Sequence, residues 1–231
     1  MFGWFKKEQK SRTDEVTQAA AVAIQSDMSQ QITVNDVLLL EKAGDFRKVI
    51  VSCALWATQQ PQSPLPYLSS GNAHRNIGKP LDSIEMYRKA IEIATKSSDP
   101  QVSSFGFVAQ CWYGLGHAYF QLRRRSDAEY AFLQAGQLDP TAPDIWNDLG
   151  VVYLNLEPYD TSKAFDAFKK AVVLDSKHIR ALTNIGFIYA ICGEDKGVTM
   201  IYGDLEKIEN GDAQGFLRLA TQKLKEAKAG V

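Results

Sequence analysis

Large and small apolar residues recur along this chain at helical spacing, and their order repeats. Trp112, Leu115, Gly116 and Tyr119 are followed by Ala128, Phe132, Ala135 and Pro140. From 112 to 146, 34 residues on, the order returns as Trp146, Leu149, Gly150 and Tyr153, then Ala164, Phe168 and Ala171. An internal repeat of this length predicts paired helices, each pair one structural unit. The small residues Gly116, Gly150, Ala128 and Ala164 fall where two backbones must approach closely, and the large ones fill the space around that crossing. Pro140 closes the second helix, since proline restricts the residue before it and has no N–H to donate.

The phase extends both ways. A copy near Ile179 reads Leu182, Ile185-Gly186, Tyr189, Val198, Tyr202 and Leu205, with Tyr202 as the large residue of its second helix. An earlier copy near Pro64 reads Tyr67, Ser70-Gly71, His74, Ser83, Tyr87 and Ala90. A further one, phased back from Pro61, gives Leu40, Val49, Cys53 and Trp56 around a turn at Gly44-Asp45. Two irregularities interrupt the register: extra residues over Ser98–Val108, which either lengthen the following first helix or form a loop used in binding, and two more in the turn at Glu157–Asp160. The spacing resembles the tetratricopeptide (TPR) repeat. That resemblance implies an all-α, right-handed α-solenoid of about four to five helix hairpins over residues 30–210, between an N-terminal segment (1–29) and a capping helix (211–231).

Composition fits a helical domain and adds little else. Lys and Arg number 26 against 27 Asp and Glu, so no global field points to nucleic acid. No apolar run approaches the roughly 20 residues that span a bilayer. Cys53, Cys111 and Cys192 fall at unrelated phases and read as reduced core thiols of a cytoplasmic protein. The N-terminus stands apart: Phe2, Trp4 and Phe5 precede Lys6 and Lys7, an arrangement suited to peripheral contact with an anionic membrane surface or to packing on the first helices. Residues 12–29 then show Val16, Ala20, Ala23, Ile24 and Met28 at helical spacing behind a Thr13 cap. At the other end, Phe216, Leu217, Ala220 and Leu224 form the stripe of a capping helix over Gln214–Lys228.

Catalytic and cofactor chemistry finds no foothold. His74, His117 and His178 are isolated in sequence, without zinc-ligand spacing, and no phosphate loop or nucleophile elbow is present. Arg123-Arg124-Arg125 falls at a turn and reads as solvated. The expectation is a non-enzyme without metal or cofactor. The resemblance implies instead a concave face lined by first helices, which here would present Asn72, Asn76, Tyr113, His117, Gln121, Asp144, Asn147, Asp148, Asn155, Arg180, Asn184 and Phe187 to a partner protein or peptide. Asp144 and Asp148 are expected to be solvated and to make that face locally acidic, favouring a basic or amphipathic segment. A carboxylate-binding clamp is excluded: its five places hold Leu68, Asn72, Gly114, Asp144 and Asp148, with anions where the clamp needs cations. The function expected is that of an interaction scaffold; the alternatives are a dedicated client chaperone and a self-assembling scaffold at a membrane surface.

Overall fold

The structure, a computed structural model, describes residues 31–97, 100, 104–209 and 211–229. The aromatic and basic N-terminal segment, the helix expected over 12–29, and most of the 98–103 stretch lie outside the described residues. The described residues contain eleven α-helices and divide into two compact units, one up to Ser103 and one from Ser104 onward.

The first unit holds two hairpins, α1 (Val34–Lys42) with α2 (Phe46–Gln59), and α3 (Leu65–Asn76) with α4 (Pro80–Lys96). Local chemistry sets the starts. Thr33 caps α1 in a reciprocal box with Asp36, whose carboxylate accepts from the Thr33 N–H at 2.8 Å. Pro80 opens α4, where its missing N–H costs nothing and its fixed φ suits the helix. Val37, Val49, Cys53 and Trp56 form a core closed by Ala73 of the next hairpin. Burial pushes the Cys53 thiol up to about 12, with the Glu41 charge adding to it, so the group is an inert packing element.

The second unit runs α5 (Phe105–Gln121), α6 (Arg125–Leu138), α7 (Pro143–Asn155), α8 (Thr161–Leu174), α9 (Ile179–Ile191), α10 (Asp195–Glu206) and α11 (Ala213–Lys228). The extra residues before 109 do lengthen α5, burying Phe107 and Val108. The crossings follow the repeat: Gly116 lies under the Phe132 ring and Gly150 under Phe168, both rings buried. In the last hairpin the phase slips. Gly186 faces Ile201 and Phe216, whereas Tyr202 turns outward to donate to Glu206 and accept from Gln214. Tyr202 is therefore not the crossing residue, because Phe216 of the capping helix fills that space. Cys53 and Cys111 are buried as expected, but Cys192 is exposed at the end of α9.

Four of the hairpin turns are three residues long, and each places its middle residue in the left-handed region. Gly44, Gly78 and Gly193 occupy three of these places; Arg123, at φ 56°, occupies the fourth. A side chain there crowds the following carbonyl, which glycine avoids. We expect Arg123→Gly to raise stability by up to about 1 kcal/mol, the relief of strain being partly offset by glycine's greater unfolded-state entropy; a denaturant midpoint at or below wild type would contradict this. In the rest of the basic run Arg124 is exposed, as expected of a turn, and Arg125 is half-buried. Arg124 pairs with Asp127 at 2.7 Å and lies over Tyr119, and Arg125 lies over the Tyr153 ring at 5.4 Å.

Candidate functional site

In the second unit the first helices α5, α7 and α9 carry their polar residues into one connected network. Its centre is Asp148, only 6% exposed. One carboxylate oxygen accepts from the Tyr113 hydroxyl at 2.5 Å and stands 3.1 Å from His117 Nε2. The other accepts from Asn147 Nδ2 at 2.9 Å, with Arg180 Nη1 at 3.5 Å. Burial alone would raise the Asp148 carboxyl, but the hydrogen bonds from His117 and Tyr113 and the nearby Arg180 charge outweigh it and hold it below its ordinary value. The same burial, with the Asp148 charge, drives the Tyr113 phenol well above its usual range, so Tyr113 is a permanent donor here.

A second cluster adjoins it. The Ala181 N–H donates to His178 Nδ1, capping α9, so a neutral ring carries its proton on Nε2, which faces Asp144 at 3.1 Å. Arg180 also donates to Asp144. Burial raises the Asp144 carboxyl, and the bonds from His178 and Arg180 bring it below its usual value. Asn184 Nδ2 donates to Asn147 Oδ1 at 3.1 Å, closing a third link between α7 and α9. Tyr113, His117 and Phe132 pack edge to face behind the network, with Tyr113 and His117 centroids 4.5 Å apart.

This geometry brings together Tyr113, His117, Asp144, Asn147, Asp148, Arg180 and Asn184, and it corrects their expected electrostatics. Asp148 is not solvated, whereas Asp144 is exposed as expected. Both carboxylates meet Arg180 and each has an imidazole beside it, so their charge is partly compensated. Each histidine, isolated in sequence, has an acidic neighbour in space: His117 meets Asp148, His178 meets Asp144, and His74 lies 3.7 Å from Asp82 in the first unit. Gln121 and Asn155 are exposed, and the Asn155 amide bonds only its own helix at Val151 O. Phe187 is half-buried against Phe216. In the first unit, Asn72 accepts from the Tyr87 hydroxyl at 2.7 Å, and Asn76 donates to the Asn72 carbonyl at 2.9 Å. Among the described residues, no group of three or more His, Cys, Asp or Glu side chains is placed to hold a metal ion, and no helix is long and apolar enough to cross a membrane.

Comparison with known proteins agrees with this architecture. Residues 66–97 and 109–142 each match a family model described as the tetratricopeptide repeat. The chain is a tetratricopeptide-repeat protein, with the all-α, TPR-like solenoid fold of that family. It is similar to anaphase-promoting complex subunit 3 of Schizosaccharomyces pombe (strain 972 / ATCC 24843), 23% identical over 164 residues, and the match takes in 64% of this chain but only 23% of that relative's length. Among solved structures, a crystal structure of MamA protein superposes with a TM-score of 0.59 at 27% identity, covering 74% of this chain and 87% of that one. YrrB, described as a TPR protein with an unusual peptide-binding site, shares the fold at a TM-score of 0.59 and 16% identity, covering 88% and 98%. These relatives suggest a protein-interaction scaffold, and TPR scaffold families are typically non-enzymatic.

Proposed function

We propose that the protein is an interaction scaffold whose second unit holds an extended or helical segment of a partner protein on the face of α5, α7 and α9. The observation that carries this reading is the cross-helix network. It fixes amide, carboxylate and guanidinium groups on three helices at set spacings before any ligand arrives, which reduces the ordering cost of binding. Asp144 and Arg180 keep 57% and 59% of their side chains exposed, and a guanidinium with five donors has capacity beyond the two carboxylates it meets. Gln121 and Asn155, exposed at the C-terminal ends of α5 and α7, add amide groups suited to a peptide backbone. Because Arg180 pairs with both carboxylates and Asp148 is buried, recognition rests mainly on hydrogen bonds and ring contacts, and salt should weaken it only modestly.

The test is affinity capture on the immobilised protein, followed by titration of the recovered partner. Gln121→Arg combined with Asn155→Arg should lower affinity by roughly tenfold or more, about 1.4 kcal/mol, by obstructing the face without touching the network. Binding at full affinity by that folded variant would place the partner elsewhere. A strong loss with salt for the wild type would instead show that unmatched charge dominates.

A further inference from the structure

The basic run Arg123-Arg124-Arg125 keeps two cations that no carboxylate of the described residues pairs. Arg124 is matched by Asp127, but Arg123 and Arg125 form no ion pair among the described residues. Arg125 Nη1 is buried without a hydrogen-bond acceptor, so its charge is met by the Tyr153 ring rather than by an anion. A third cation joins from α8: Lys163 Nζ stands 5.5 Å from the centroid of that same ring, and Arg125 stands at 5.4 Å. One neutral ring thus holds two like charges together. The carboxylates in reach are already committed. Glu129 accepts from the Tyr153 hydroxyl at 2.9 Å. Asp160 accepts from the Lys163 N–H at 2.9 Å, capping α8, and comes only to 3.9 Å of the ammonium.

Strain marks the same place. Glycine makes the equivalent bend at Gly44, Gly78 and Gly193, yet here Arg123 makes it at φ 56°. Its side chain is exposed and, among the described residues, offsets that strain with neither a hydrogen bond nor an ion pair. A strained residue whose side chain adds nothing to the fold points to a use outside it. We propose that Arg123, Arg125 and Lys163 form an anion-binding corner of the second unit, which takes the carboxylates of an acidic segment of a partner protein. The guanidinium groups offer forked N–H donors that match carboxylate oxygens, and Lys163, more than half exposed, adds a mobile ammonium. Asp127, Glu129 and Asp160 narrow the choice of ligand. They repel a continuous anionic surface such as a membrane or a nucleic-acid backbone, whereas one or two carboxylates on a flexible segment reach the cations between them. Binding here needs no ligand on the α5, α7 and α9 face, and unlike binding there it should fall steeply with salt.

Fluorescence anisotropy of a labelled hexaglutamate peptide on the full chain tests this, beside hexaglutamine, phosphatidylserine-containing vesicles and a single-stranded oligonucleotide. Wild type should bind hexaglutamate roughly tenfold more tightly than hexaglutamine, and raising salt to about 0.5 M should remove most of that difference. Arg123→Gly, which relieves the turn and so keeps the fold, should weaken hexaglutamate several-fold. Adding Arg125→Gln should bring it to the level of hexaglutamine, while Arg123→Lys should keep most of the affinity. Equal binding of the two peptides overturns the proposal, as does hexaglutamate binding that Arg123→Gly and the double variant leave unchanged. Vesicles or oligonucleotide bound more tightly than the peptide, and weakened by the same changes, would also overturn it, by making the corner a site for a different macromolecule.

Discussion

Asp148→Ala should be among the most destabilising single changes in the second unit, at about 2–4 kcal/mol. The loss is not of one ion pair. Removing the carboxylate strands the Tyr113 hydroxyl, the Asn147 amide and His117 Nε2, groups on two helices that converge on its two oxygens. Arg180, more than half exposed, turns to water at small cost, so the penalty comes mainly from the buried donors. Urea unfolding followed by tryptophan fluorescence measures it; a midpoint within error of wild type would show that the network is incidental. Asp144→Ala is the matched comparison. That carboxylate is 57% exposed, so its removal should cost less, about 1 kcal/mol, mainly from the buried His178 ring left without its partner.

The same carboxylate sets an acid limb. Its folded value is held below the unfolded 3.8, so its contribution is fully present above that pH and is lost as pH falls through the folded value. The wild type should lose stability steeply on acidification below about pH 4, and Asp148→Asn should flatten that part of the profile while lowering stability at neutral pH. Parallel profiles for the two proteins would remove Asp148 as the cause.

The hairpins were legible in the sequence because their chemistry is local and repeated. A glycine on one helix and a ring sixteen or eighteen residues later meet within a single hairpin, as Gly116 meets Phe132 and Gly150 meets Phe168. The network was not legible in that way, because its links join different repeats: Tyr113 to Asp148 spans 35 residues, Asp144 to Arg180 spans 36, and Asn147 to Asn184 spans 37. Read singly, Asp144 and Asp148 look like two solvated anions on one helix. Read against residues about one repeat away, they face a tyrosine, two histidines and an arginine, and that offset was the signal for the network and for the burial of Asp148. Tyr202 failed for a related reason. The last hairpin has no following repeat to hold its phase, and the capping helix, through Phe216, takes the place the pattern assigned to Tyr202.

The helical glycines give the sharpest separation between repeat logic and helix propensity. On propensity alone, Gly→Ala inside a helix should stabilise by about 0.5–1 kcal/mol. Gly203, in α10, has open space where a Cβ would stand, so Gly203→Ala should follow that rule. Gly150 sits in α7, and a Cβ there would lie 2.5 Å from Phe168 Cε1 and 2.7 Å from Cδ1. The Phe168 ring is wholly buried and has no free direction of retreat, so the two helices must separate or the ring must leave its rotamer. Gly150→Ala should therefore destabilise by about 1–3 kcal/mol, and Gly150→Leu by more, through overpacking. Pairing Gly150→Ala with Phe168→Leu should recover part of the loss, since the smaller side chain vacates the contact, and a double-mutant cycle would then show coupling of about 0.5 kcal/mol or more. Unfolding midpoints that rise for both glycine variants alike would mean that α7 and α8 do not cross at Gly150, and the hairpin packing argued from the repeat would fail with it.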